Sequence, residues 1–219
     1  YQKLRQEELL YRIAEEITNL IKAQSAALAQ LREVDSARGA DERLSRADRL
    51  RLRRIGGELT QTAARLGEVA DAIEAEQSLV FGTVLREVRQ DIERVARDID
   101  EAGGNQTGDR PQGLLEDGIE RSEWVLQALK DEQKRRQKDA PPPDEQQQQQ
   151  QKKKPPLVPD VAELKLLRQL EVDTLDAMAR LRLANPELES SEVSPEILED
   201  VLRLAGRHFP NLAITLHFH

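Results

Sequence analysis

The chain has no cysteine in its 219 residues, which excludes disulfides and thiolate metal sites and leaves the redox compartment undetermined. Aromatic residues make up only 3% of it. Large rings fill thick cores, so their scarcity argues for thin helical packing with one buried stripe per helix. No apolar run approaches the ~20 residues that span a bilayer. There is no initiator methionine: the chain opens with Tyr1, directly in helix-like sequence. The amino end is therefore expected to be processed or truncated, and a missing leader carries no information. A phosphate-binding glycine loop, a nucleophile elbow and a zinc-helix motif are all lacking. No catalytic, cofactor or metal residues are assigned, and an enzyme is not expected.

What the chain does have is charge, 34% of its residues, beside 38% hydrophobic ones. The formal net charge of −8 argues weakly against nucleic acid as the main partner. The apolar residues recur with helical spacing. Leu52, Ile55, Leu59, Thr62, Leu66, Val69 and Ile73 alternate steps of three and four, a heptad seam that needs a partner helix to cover it.

The preceding stretch, residues 3–35, places Leu10, Ile13, Ile17, Leu20, Ile21, Ala27, Leu28, Leu31 and Val34 on one face. Ser36, Gly39 and Asp41 supply turn and capping chemistry between the two, and an antiparallel hairpin is the economical solution. Gly56-Gly57 interrupts the second helix, either for close approach of another helix or as a local weak point. After Ile73 the stripe resumes out of register at Leu85, Val88, Ile92, Val95 and Ile99. Residues 76–83, with Ser78 and Gly82, are expected to form a kink or break between two helical units. Gly103 to Gly113 is rich in breakers and reads as a loop. Leu115, Ile119, Leu126 and Leu129 then mark a fourth helix over residues 114–138, whose last turns are dominated by charge.

Residues 139–156 combine proline, a glutamine run and three lysines, a linker composition with no apolar side chains to repay ordering. Val161, Leu164, Leu167, Leu170, Leu175, Met178 and Leu181 follow as one more helix, ended near Asn185-Pro186. Ser194-Pro195-Glu196 reads as a cap with proline at the first helical position, launching Ile197 to Ala205, with Gly206 as the stop. The tail from Asn211 alternates weakly and could be extended.

Other candidates for chemistry have plain explanations. His208, His217 and His219 are the only histidines; an extended His-x-His could ligate a metal, but no further ligand stands at firm spacing. Arg43, Arg46, Arg49, Arg51, Arg53 and Arg54 could meet phosphate or anionic lipid, yet acidic residues interleave and no stacking aromatics accompany them. Asn105-Gln106-Thr107 is a glycosylation sequon without a secretory signal beside it.

Pro155-Pro156-Leu157-Val158-Pro159, followed by Ala162 to Leu170, resembles a group of uncharacterised bacterial coiled-coil proteins, often exported, in which a Pro/Gln/Lys-rich linker precedes such a segment. Residues 78–81, 84–88 and 129–136 are similar to other pieces of the same group. The resemblance implies an extracytoplasmic helical protein and carries no catalytic residues.

The expected fold is all-α. Long antiparallel, coiled-coil-like hairpins cover 1–138, with helices near 3–35, 41–76, 84–102 and 114–138. A disordered linker follows over 139–156, then a helical segment over 157–207 and an irregular tail over 208–219. The expected function is that of a structural or interaction protein working through helix faces. Leu164, Leu167, Leu170, Leu175 and Met178 are the candidate contacts, meeting a protein partner or packing back on the chain's own hairpins. Self-association is open, because intra- and intermolecular pairing satisfy the same heptads. The alternatives are a membrane-surface or nucleic-acid module using Arg43–Arg54, and an accessory segment of a larger protein cut before Tyr1.

Overall fold

The computed structural model describes residues 2–38, 44–138, 157–189 and 193–217. Among these there is no strand. Two units divide the chain, residues 1–157 and 158–219.

The first unit is a four-helix bundle: α1 (Gln2–Ser36), α2 (Arg46–Glu74), α3 (Leu79–Asp98) and α4 (Asp109–Lys138). Each helix packs on its neighbours in sequence, and α4 closes the ring on α1. Cross-helix pairs show the antiparallel sense. Arg54 on α2 donates to Gln30 on α1 at 2.7 Å, while Arg65, further along α2, reaches back to Glu16 at 3.9 Å. Arg32 bonds Glu116, and Tyr11 near the other end of α1 accepts from Gln137. The two predicted hairpins are therefore opposite sides of one closed bundle.

Every member of the Leu52–Ile73 seam is buried, as are Leu10, Ile17, Leu31, Val88, Ile92, Leu115 and Leu129 on the other helices. At ~25 cal/mol per Å² of apolar surface, each such Leu or Ile contributes roughly 1.5–3 kcal/mol toward offsetting chain entropy. The seam has the expected partner, α1, and a second one that was not expected. α2 touches α1 but packs most extensively on α3.

The junction between them is a tight reversal rather than a kink. Residues 75–77 turn, with Gln77 in the left-handed region at φ 66°. Gly82 belongs to the first turn of α3, which begins at Leu79 and not near 84. A β-carbon at Gly82 would collide with the Glu74 side chain, so this glycine serves close approach across the turn. Val80 and Phe81, fully buried, hold that first turn in the core.

Three further boundaries differ from expectation, the first being that α3 ends at Asp98 and not near 102, with a short 3-10 turn over Glu101–Gly103 beyond it. α2 starts at Arg46, because the Ser45 hydroxyl accepts the Asp48 backbone N–H at 3.1 Å and caps the helix there. The anticipated start at Asp41 lies outside the described residues. α4 starts at Asp109, upstream of 114. Its Pro111 sits in the first turn, where a missing N–H sacrifices no intrahelical bond. The α3–α4 connection needs Gly103, since a β-carbon there would run into the Arg97 carbonyl oxygen. Thr107, 1% exposed, donates to Asp35 at 2.6 Å, and the Asn105 carbonyl accepts from Arg38. The sequon triplet thus has a structural use, tying the loop to the end of α1.

The second unit is a helix pair, α5 (Asp160–Ala184) and α6 (Pro195–His217), which pack on one another. The Ser194 hydroxyl accepts the Ile197 N–H at 3.3 Å, and Pro195 is the first helical residue. α6 does not stop at Gly206 but continues through it to His217, so residues 208–217 are helical and not an irregular tail. A glycine inside a helix costs about 1 kcal/mol relative to alanine, which burial of Leu204 on the same helix can offset. Residues 218–219 and the linker expected over 139–156 lie outside the described residues.

Candidate interaction surfaces

The five leucine and methionine positions singled out on α5 fall on two sides of the helix. Leu167 and Leu170 are 4% and 3% exposed, sharing a buried face with Glu163, Leu166 and Thr174. Leu164, Leu175 and Met178 are exposed, Leu175 to 61%. Val161 at 63% and Val172 at 45% join them. At 100° per residue, this exposed group centres roughly 130° around the helix from the buried one. α5 is apolar on two distinct sides, only one of which is covered. On α6, Leu198 and Leu202 are exposed in the same manner.

On the bundle, α2 and α3 enclose a groove of about 470 Å³ lined by Leu52, Arg53, Gly56, Gly57, Thr60, Glu93, Ala96, Arg97 and Asp100. A β-carbon at Gly56 would make ordinary van der Waals contact with the Ala96 carbonyl at 3.7 Å, and one at Gly57 would meet nothing within 4 Å. Close helix approach therefore does not account for these glycines; they leave the groove floor bare. Both charge signs line it, and Arg53 is turned to Glu101 at 2.7 Å.

A third feature carries buried charge. Glu132 is 4% exposed, and its carboxylate accepts from Arg135 Nε at 2.7 Å, Arg135 Nη2 at 2.9 Å and Arg136 Nε at 2.7 Å. Burial alone raises its pKa. The bonds and charges of the two guanidiniums outweigh burial and hold the carboxyl below its ordinary value. Arg136 Nη2 also donates to the Leu157 carbonyl at 2.7 Å, while the Leu157 N–H donates to the Glu76 carbonyl at 3.1 Å. Leu157 is fully buried. Both backbone groups of one residue are thus held, clipping the returning chain to the bundle end formed by the last turns of α2 and α4. The charged end of α4 is an ordered part of the fold. Sequence reasoning missed this clip, although acid and base at steps of three and four, with a lone leucine after two prolines, were its signal.

Arginine 121 is the largest fully buried side chain. It faces Glu87 at 3.5 Å and Asp91 at 4.0 Å, joining α3 to α4 by charge inside the core.

The basic stretch is exposed on α2 from Arg46 to Arg54, with Arg43 outside the described residues. Arg49 donates to the Leu44 carbonyl at 3.2 Å, and Arg54 also approaches Glu58 at 3.5 Å. His208 and His217 are both on α6, so the extended geometry that His217-x-His219 would need is not the conformation adopted at His217; His219 lies outside the described residues. Among the described residues, no group of three or more His, Cys, Asp or Glu is placed to hold a metal, and no helix is long and apolar enough to cross a membrane.

Compared with known proteins, the chain matches no protein-family model, no curated protein and no solved structure.

Proposed function

We propose that the protein is a non-enzymatic structural or interaction protein that recognises a helical protein partner through α5. The observation that carries this reading is the second apolar face of that helix. Val161, Leu164, Val172, Leu175 and Met178 are exposed together along one side. Single exposed leucines are ordinary, but apolar residues repeated along one side of a helix, here two clusters separated by Arg168 and Glu171, are the form in which helix-in-groove and helix-on-helix partners are recognised. The resemblance of residues 155–170 to exported bacterial coiled-coil proteins supports an extracytoplasmic bacterial setting. A membrane or nucleic-acid role for Arg43–Arg54 is less well supported, because Arg53 and Arg54 are engaged by Glu101, Gln30 and Glu58.

The absence of cysteine makes the test direct. In Leu164→Cys and Leu175→Cys variants of the full chain at about 1 µM, thiol labelling is expected within about threefold of a free cysteine. Labelling slowed about a hundredfold at that dilution would mean that the chain covers this face itself, and would overturn the proposal.

A further inference from the structure

The exposed face of α5 has a pattern that names its own partner. Val161, Leu164, Arg168, Glu171, Leu175 and Met178 recur in steps of three, four, three, four and three, a heptad seam with one charged pair at its centre. We propose that this seam pairs with the same seam of a second copy of the chain, in antiparallel orientation. The inference rests on the helix-face reading above and specifies the partner.

The register follows from symmetry. A two-fold axis crossing α5 between Gln169 and Leu170 sets Val161 opposite the partner's Met178, Leu164 opposite the partner's Leu175, and Arg168 opposite the partner's Glu171. Each of these contacts occurs twice, and apolar meets apolar or plus meets minus in every layer. A parallel pair would instead set Arg168 against the partner's Arg168 and Glu171 against the partner's Glu171. Like charges at the middle of the seam disfavour that alternative, so the charge pattern selects the antiparallel one. Val172, at the flank, is covered by the methylene stem of the partner's Lys165, whose ammonium stays in water. Glu171 is half-buried and Arg168 is exposed, so the two central charged layers stay partly hydrated, and the pair sets orientation more than affinity.

The seam from Val161 to Met178 is about 27 Å long at 1.5 Å per residue. Two single helices meeting over that length lie at the small end of specific interfaces, so the dimer is expected to dissociate on the order of 10 µM.

Sedimentation velocity on the full chain from about 1 to 200 µM tests the proposal. The expected result is a monomer–dimer equilibrium that Leu164→Glu with Leu175→Glu weakens at least about a hundredfold. Arg168→Glu alone and Glu171→Arg alone are each expected to weaken it about tenfold, through like charge in the central layers. Mixing those two variants restores the dimer to within about threefold of the unaltered chain, because each supplies the charge the other needs. This rescue also demonstrates that both variants fold. Leu198→Glu with Leu202→Glu on α6 leaves the equilibrium unchanged. A dimer that survives the α5 substitutions, or a mixture that is not rescued, overturns the register. A monomer at every concentration whose Leu164→Cys thiol labels fast overturns self-pairing and leaves the broader interaction reading standing. A monomer whose thiol labels slowly overturns both.

Discussion

Replacing Glu132 by glutamine preserves the shape of the side chain and removes the charge that the clip at Leu157 depends on. The carboxylate is buried and receives three charge-assisted hydrogen bonds. The Arg135 side chain is 55% exposed, so its two bonds are screened by water and contribute little. Arg136, 14% exposed, is the consequential partner, because it also holds the Leu157 carbonyl. A hydrogen bond to a charged group stabilises by about 1.5–3 kcal/mol, and an unsatisfied guanidinium left behind adds a comparable loss. Glutamine retains one carbonyl acceptor, so the expected cost is about 2 kcal/mol, or a fall of roughly 6 °C in Tm for a unit of this size.

The pH dependence has a definite sign. The folded Glu132 pKa lies below its ordinary value, so its contribution is fully present above about pH 4.5 and is lost as pH falls through the depressed folded value. Urea unfolding of the full chain at neutral pH and at several acid values measures both effects. The unaltered chain should lose its advantage over Glu132→Gln in acid, until the two curves meet. Amide exchange at Leu157, which donates to the Glu76 carbonyl, should accelerate in the variant before the core amides do. A variant within about 0.5 kcal/mol of the parent at neutral pH, or two parallel pH profiles, would refute the assigned role of this carboxylate.

Two further substitutions probe the bundle. Gly57→Ala should raise stability by about 1 kcal/mol in denaturant unfolding, since the position is mid-helix and exposed with open space around a β-carbon; a loss would mean that the helix is not straight there. Arg121→Met should cost about 3 kcal/mol, because it removes the buried cation that faces Glu87 and Asp91; a neutral result in chemical unfolding would mean that this cation contributes nothing to the core.

The bundle's helices were legible wherever an apolar stripe recurred, and less so at their ends. The α2–α3 break expected over 76–83 occupies only the start of that span, because Ala75, Glu76, Gln77 and Ser78 include no glycine or proline to mark the turn, while the glycine that looked like a breaker, Gly82, sits inside α3. Pro111 and Gly206 misled for the same reason: a residue that disfavours helix in isolation is tolerated in a first turn, or in a helix held elsewhere by packing. The clip at Glu132 was hidden because an acidic residue among arginines and lysines looks like any solvated helix end. Its burial, and the bond from Arg136 to the Leu157 carbonyl, exist only in the folded unit.

The amino-acid sequence by itself determined that the chain is helical and which residues form its seams, because helical periodicity is a local property and the apolar positions repeat with it. It could not choose among partners. That α2 pairs chiefly with α3, that α4 closes the ring on α1, and that α5 buries Leu167 and Leu170 while exposing Leu164, Leu175 and Met178 were decided by tertiary structure. A stripe states that a face must be covered. What covers it depends on contacts between residues far apart in the chain, and their geometry is set only when every helix has taken its place.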